Sequence, residues 1–136
     1  MIRYRAEVPD KERFWQLFEK TGWNNEYGVT PAELHRAISK SWYFLTACDG
    51  EQLVGFGRVV SDEILHAMVY DLIVDPAYWQ QGIGTELLAQ LVQRCLDAGI
   101  RDIQLFCAKG KRSFYEGRGF VVRPDDAPGM DYRCSR

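Results

Sequence analysis

The chain has no uncharged apolar run of the roughly 20 residues a bilayer-crossing helix needs, so no membrane partner is expected. It also has little excess of either charge. Seventeen Lys and Arg against nineteen Asp and Glu leave a net charge of -2, which argues against nucleic acid or an anionic membrane as a partner. The four cysteines, Cys48, Cys95, Cys107 and Cys134, form no C-x-x-C pair and have no histidine at ligand spacing. No metal site is therefore expected. Each cysteine lies in an apolar run and reads as a buried free thiol. Nothing local supports a nucleophilic Cys107 served by His35 or His66. Met1-Ile2-Arg3-Tyr4-Arg5 is followed by no apolar signal-peptide core, so a cytoplasmic location is expected.

What is present fits one domain, taken here as residues 1–136: 136 residues, 46% hydrophobic and 13% aromatic, enough to bury a core without staples. Residues 2–8 alternate as a half-buried strand. Pro9-Asp10 opens a helix whose apolar face is Phe14, Trp15, Leu17 and Phe18, ending near Thr21-Gly22. Thr30-Pro31-Ala32-Glu33 is a helix start, with Thr30 as cap, proline first and Glu33 closing a capping box. Between these helices, Gly22-Trp23-Asn24-Asn25-Glu26-Tyr27-Gly28 reads as a polar loop with two large aromatics. Strands over 42–48 and 52–60 joined by Asp49-Gly50-Glu51 form a hairpin. Residues 64–74 read as an interior strand, apolar on both faces. Leu87, Leu88, Leu91, Val92, Cys95 and Leu96 recur at the helical period over 84–98, and a strand follows over 102–108. Two such strands joined by a helix pair in parallel. A short helix over 111–117 and two last strands, at 120–123 and 130–134, complete the expected order.

Two common glycine motifs fail here. A dinucleotide fingerprint needs a third glycine where Leu87 stands, and a P-loop needs Ser or Thr where Arg112 follows Gly110-Lys111. What remains is Trp79-Gln80-Gln81-Gly82-Ile83-Gly84, after the strand and turn Leu72-Ile73-Val74-Asp75-Pro76 and opening a helix. Glycines there let a ligand approach the backbone, and a helix N-terminus offers N–H groups to a phosphate. Alone, this is also what an ordinary strand-to-helix turn looks like.

A second segment, Phe114-Tyr115-Glu116-Gly117-Arg118-Gly119-Phe120, ends a helix in an aromatic pair followed by a glycine stop. Together the two segments resemble the Gcn5-related N-acetyltransferases, whose signatures are Q/R-x-x-G-x-G/A after a strand and proline turn, and F-Y-x-x-x-G-F. Trp79 departs from the first pattern at its glutamine or arginine. The order of elements matches over essentially the whole chain. The resemblance implies an α/β fold: one mixed, mostly antiparallel sheet with a central parallel βαβ unit and helices on both faces. It implies acetyl-CoA as co-substrate, with no metal. By resemblance, the backbone of Gln80, Gln81, Gly82, Ile83, Gly84 and Thr85 holds the pyrophosphate. Leu72, Ile73 and Val74 pair with the pantetheine arm, and an N–H of Leu72 or Ile73 meets the acetyl oxygen. Lys111 lies near the adenosine phosphates, and Tyr115 is the general acid.

Three side chains carry alternatives. Lys111 reads equally as part of a solvated basic turn. Tyr115 has a plainer reading as packing beside Phe114 and Phe120. Asp71 interrupts an apolar strand, where a carboxylate is costly unless hydrogen-bonded or functional; it is the candidate base, with water-mediated action, a grip on the acceptor's ammonium, or a satisfied structural role beside it. Tyr70 and His66 are weaker rivals. Trp23 and Tyr27, with Glu26, suggest an acceptor pocket with an aromatic wall and negative rim, suited to a cationic amine, and some segments look like the arylalkylamine branch of the family. The expected activity is acetyl transfer to a primary amine by direct attack in a ternary complex. The alternative is a non-catalytic acyl-CoA sensor. A homodimer is left open.

Overall fold

A computed structural model describes residues 1–133. They fall into two compact units, Met1–Leu105 and Phe106–Arg136, of which the last three residues are not described. The first unit holds β1 (Ile2–Arg5), α1 (Lys11–Glu19), α2 (Asn24–Tyr27), α3 (Pro31–Ser39), β2 (Tyr43–Asp49), β3 (Gln52–Ser61), β4 (His66–Val74), α4 (Ile83–Asp97) and β5 (Asp102–Leu105), with a single 3-10 turn at Pro76–Tyr78 after β4. The second unit holds α5 (Arg112–Glu116). No helix of the described residues is long and apolar enough to cross a membrane.

Local chemistry starts these elements where expected. Asp10 caps α1 by accepting from Arg13 N–H at 3.0 Å. Thr30 and Glu33 make a reciprocal capping box at α3, with distances of 3.1 and 3.0 Å. Gly50, at φ 61°, turns the β2–β3 hairpin. The sheet runs β1-β2-β3-β4-β5, antiparallel except for the β4–β5 pair that α4 joins.

The sheet carries helices on both faces. On one face Phe14, Leu17 and Phe18 of α1 and Leu34 and Ile38 of α3 pack with Leu53, Phe56 and Ile73. On the other, α4 lies so close to β3 that a Cβ at Gly57 would stand 2.6 Å from Leu91 Cδ1, and one at Gly55 3.0 Å from Leu87 Cδ1. Only glycine admits that approach.

The structure departs from the sequence reading in four places. β1 stops at Arg5, where its ladder with β2 ends at Thr46. The loop expected over 22–28 contains the single helical turn α2, closed by Gly28 at φ 62°. The strand expected over 102–108 ends at Leu105, which leaves Cys107 exposed rather than buried. Cys95 is buried, Cys48 half-buried, and Cys134 lies outside the described residues. Finally, no strand follows β5 among the described residues. The apolar residues expected there have no partner strand: Val121 and Met130 stand in solvent, and 124–127 form a turn with Ala127 N–H donating to Pro124 O at 2.9 Å. Alternation without a neighbour to bond leaves the backbone unpaired.

Candidate active site

β4 carries one residue more than β3 can match. Its ladder passes from Arg58↔Tyr70 to Phe56↔Ile73, so Asp71 and Leu72 stand opposite Gly57 alone. Asp71 takes the left-handed conformation, φ 55°, at this bulge, a region Asp enters more readily than most residues. The parallel ladder to β5 ends at Val69↔Leu105, just before the bulge. Beyond it, β4 has an edge that β5 does not cover. Asp75 N–H donates to Val54 O at 2.8 Å, so strand alternation turns the main chain of Ile73 toward β3. Leu72 and Val74 then present their N–H and C=O groups on the uncovered side.

The turn out of β4 leads straight into α4. Asp75, with a side chain only 4% exposed, anchors it by accepting from Ala77 N–H at 3.0 Å and Lys20 Nζ at 2.6 Å. Burial works against the Asp75 charge, but the Lys20 ammonium and the Ala77 N–H overcome it and hold the carboxyl below its ordinary range. Tyr78 OH donates to Asp49 Oδ2 at 2.7 Å, and Trp79 Nε1 to Val74 O at 2.9 Å. Gln80 and Gly82 both have positive φ, 65° and 80°. The first intrahelical bond of α4 is Glu86 N–H to Gly82 O, at 3.0 Å. A helix leaves the N–H groups before that bond, here those of Ile83 and Gly84, aimed out of its positive end. A Cβ built on Gly82 would meet nothing within 4 Å. The space beside the loop is open.

Beside the bulge, Arg58 Nε donates to Asp71 Oδ2 at 2.7 Å; the two side chains are 18% and 16% exposed. Arg58 Nη1 reaches Ser41 Oγ at 3.3 Å and Ala37 O at 3.4 Å, and the guanidinium lies 5.7 Å from the Tyr70 ring centre. Tyr27, mostly exposed, stacks on Phe18 at 6.5 Å. Its phenol is pushed up by partial burial and by the charges of Asp71, Glu26 and Tyr70, with Arg58 opposing. Tyr27, Tyr70, Asp71 and Arg58 thus form one electrostatic neighbourhood. Trp23 packs edge-on against Phe18, 6.2 Å between centres, and belongs to the rim of the core. His66 Nδ1 lies 2.9 Å from Asp102 Oδ2, at the far end of β4 from the bulge.

In the second unit, Tyr115 sits on α5 between Phe114 and Phe120, with near-perpendicular rings at 5.1 and 5.9 Å. Burial, and secondarily the charge of nearby Cys107, raise its phenol above the ordinary value, so it keeps its proton at neutral pH. Lys111 precedes α5 and is exposed.

Of the residues singled out from sequence, Leu72 and Val74 face the edge beyond β5, Ile73 turns its main chain toward β3, Gln80–Thr85 form the adjoining turn and the start of α4, and Asp71 and Tyr27 lie beside the bulge. The sequence of the acetyltransferase (GNAT) family matches residues 10–120. This chain belongs to that family. Among curated GNAT-type relatives, histone acetyltransferase TAP1 of Glycine max is 32% identical over 126 residues, covering 84% of this chain and 53% of that protein. An uncharacterized N-acetyltransferase, ycf52-like, of Prochlorococcus marinus is 34% identical over 110 residues, covering 80% of this chain and 61% of that one. The chain spans between half and two thirds of the length of these two relatives. A solved GNAT-family acetyltransferase of Streptococcus pneumoniae superimposes with TM-score 0.77 at 28% identity, covering all of both chains. The GNAT fold of this chain therefore rests on sequence and on architecture.

Sequence reasoning passed over Arg58. Its signal was a lone charge in an apolar strand, readable only once the hairpin register set it beside Asp71. The role of Trp79 was equally hidden, because its partner is a main-chain carbonyl.

Proposed function

We propose that this chain is an acetyl-CoA-dependent N-acetyltransferase that acetylates a primary amine by direct attack in a ternary complex. The observation that carries the reading is the uncovered edge of β4 beside the N-terminus of α4. The edge suits an extended, amide-bearing pantetheine arm. The positive-φ turn at Gln80 and Gly82 suits its pyrophosphate.

On this reading, the N–H groups of Gln81 to Thr85 hold the pyrophosphate, and Lys111 serves the adenosine phosphates. Leu72 N–H polarises the acetyl oxygen, stabilising the negative charge that develops there; Ile73, turned toward β3, is the weaker candidate. The amine nitrogen bonds to the acetyl carbon and the C–S bond breaks. The amine's surplus proton passes to Asp71 or, through it, to water, and the leaving thiolate takes a proton from Tyr115. Arg58 occupies Asp71 Oδ2, which leaves Oδ1 to receive the acceptor's ammonium before its proton departs. Tyr27 and Tyr70 offer aromatic faces beside this carboxylate, with Glu26 adding negative charge, so the acceptor class is a small cationic amine, with arylalkylamines foremost.

Amide chemical shifts recorded with and without acetyl-CoA test the donor site. Leu72, Val74, Gly82, Ile83 and Gly84 are expected to move together and saturably. Absence of saturable binding, or shifts confined to other elements, overturns the reading.

A further inference from the structure

Past Val74 the open edge of β4 stops offering donors. By strand alternation the next residue to face that side is Pro76, which has no N–H. The N–H groups after it are used inside the turn: Ala77 donates to Asp75 Oδ1 at 3.0 Å, Tyr78 to Asp75 O at 2.8 Å and Trp79 to Pro76 O at 3.3 Å. Main-chain donors for a ligand therefore resume only beyond Trp79. Asp75 is buried and Tyr78 turns its hydroxyl back onto Asp49, so the Trp79 indole stands in this gap. Its N–H donates at 2.9 Å to Val74 O, a carbonyl on the uncovered side, which puts the ring on that side too; the residue is 57% exposed. An indole has a single donor, here given to the backbone, so what the ring shows to a ligand is apolar.

We infer that Trp79 is a donor-binding residue whose indole is the apolar wall for the branched hydrocarbon of the pantoyl unit; this rests on the donor site proposed above. Outward from the bulge, the surface runs from an amide-pairing edge to an apolar ring and then to a turn suited to phosphate. Outward from the thioester, coenzyme A has the same order: two amides, a carbon bearing two methyl groups, then the pyrophosphate. With the acyl oxygen on Leu72 N–H and the phosphates beyond Trp79, the dimethyl carbon falls where the edge has lost its donors and the ring stands. A hydrocarbon segment forfeits no hydrogen bond there, and contact with the ring removes apolar surface of both from water. The hydrogen bond to Val74 O holds the ring in place before the donor arrives, which lowers the ordering cost of binding. The glutamine or arginine of the family signature offers no ring at this position, so the contact is a property of this chain.

Proton NMR of the wild-type complex with coenzyme A tests the contact directly. Nuclear Overhauser contacts are expected between the pantoyl methyl protons and the Trp79 indole, whose signals are assigned by their loss in Trp79→Gln or Trp79→Phe. A titration adds the energetic reading. Trp79→Gln is expected to bind coenzyme A about tenfold more weakly, the scale of two methyl groups leaving an apolar contact. It is expected to bind ADP, which keeps a pyrophosphate and lacks the pantoyl unit, within about twofold of the wild type. A residue that only braced the turn would lose equally on both ligands, because both use the turn. Coenzyme A bound without the methyl contacts, Trp79 contacts to the adenine protons instead, no loss on coenzyme A, or a loss on ADP as large as that on coenzyme A each overturns the inference and leaves the proposed function standing. A wild type that binds no coenzyme A removes the proposed function itself.

Discussion

Arg58 and Asp71 meet across the one place where β3 and β4 fall out of step. The guanidinium Nε lies 2.7 Å from the carboxylate, and Asp71 is the residue whose positive φ creates the bulge. The ion pair compensates two largely buried charges just beyond the last pairing of β4 with β5.

Asp71→Asn separates the two roles. Asn adopts the left-handed conformation as readily as Asp, so the bulge survives while Arg58 loses its charged partner. We expect stability to fall by about 1–3 kcal/mol, read by urea unfolding. The folded variant is expected to lose at least tenfold in kcat, with partial recovery at high pH, where solvent supplies the free amine. Wild-type turnover in the folded variant would return Asp71 to a purely structural role.

Tyr115→Phe removes the proton proposed for the leaving thiolate while keeping the ring packed between Phe114 and Phe120. A loss of about 100-fold in kcat, the lower end of what general acids contribute, is expected with unchanged affinity for acetyl-CoA. The pH profile adds a second reading. An acid acts while protonated, so its contribution disappears as pH rises through its pKa, and burial raises that of Tyr115 above its ordinary value. The wild-type rate should show no alkaline fall from this group below about pH 10. Unchanged turnover in Tyr115→Phe would remove it as the acid.

Gly82→Val tests the turn. Beyond its chain neighbours no atom lies within 4 Å of the added Cβ, so the cost inside the fold is backbone strain at φ 80°, about 1–3 kcal/mol. The larger effect is expected on the ligand, with at least a tenfold loss of affinity for coenzyme A by calorimetry. Gly57→Ala is the contrast. Its Cβ meets Leu91 Cδ1 at 2.6 Å, so it should lower the melting temperature, and whatever protein remains folded should bind coenzyme A normally. Normal affinity in Gly82→Val would move the pyrophosphate elsewhere.

Lys20→Met tests the anchor of the same turn. The folded carboxyl of Asp75 is held below its ordinary range, so its stabilising contribution is complete above the unfolded value of about 3.9 and is lost as pH falls through the lower folded value. At pH 7 the substitution should cost about 1 kcal/mol, a modest figure because the ammonium is half exposed. That difference should shrink toward zero as pH falls below 4, measured by urea unfolding at each pH. A pH-independent difference would mean that Lys20 acts through its packing.

Much of this architecture is local in origin and so legible in sequence. Thr30 and Glu33, Asp49-Gly50 and the helical spacing of Leu87, Leu88 and Leu91 act within a few residues of one another, and each element appears where those residues place it. What was illegible depends on pairing between distant segments. The bulge exists because two β4 residues face Gly57, and neither strand alone encodes that mismatch. The Arg58–Asp71 pair follows from the same register. The expected late strands failed for a related reason: Val121 and Met130 have strand-like surroundings in sequence but no neighbouring strand in the described structure. Tyr115 was found through its flanking motif, and its raised phenol became evident only with its burial.

Continuous measurement of thiol release from acetyl-CoA, across a panel of arylalkylamines, polyamines and peptides with free amino termini, tests the central claim most directly. The account predicts release that requires both protein and amine, is fastest with a small cationic amine, and yields the N-acetylated product in equal amount. Saturable binding of acetyl-CoA with no release for any acceptor would contradict it and favour an acyl-CoA sensor built on the same β4 edge.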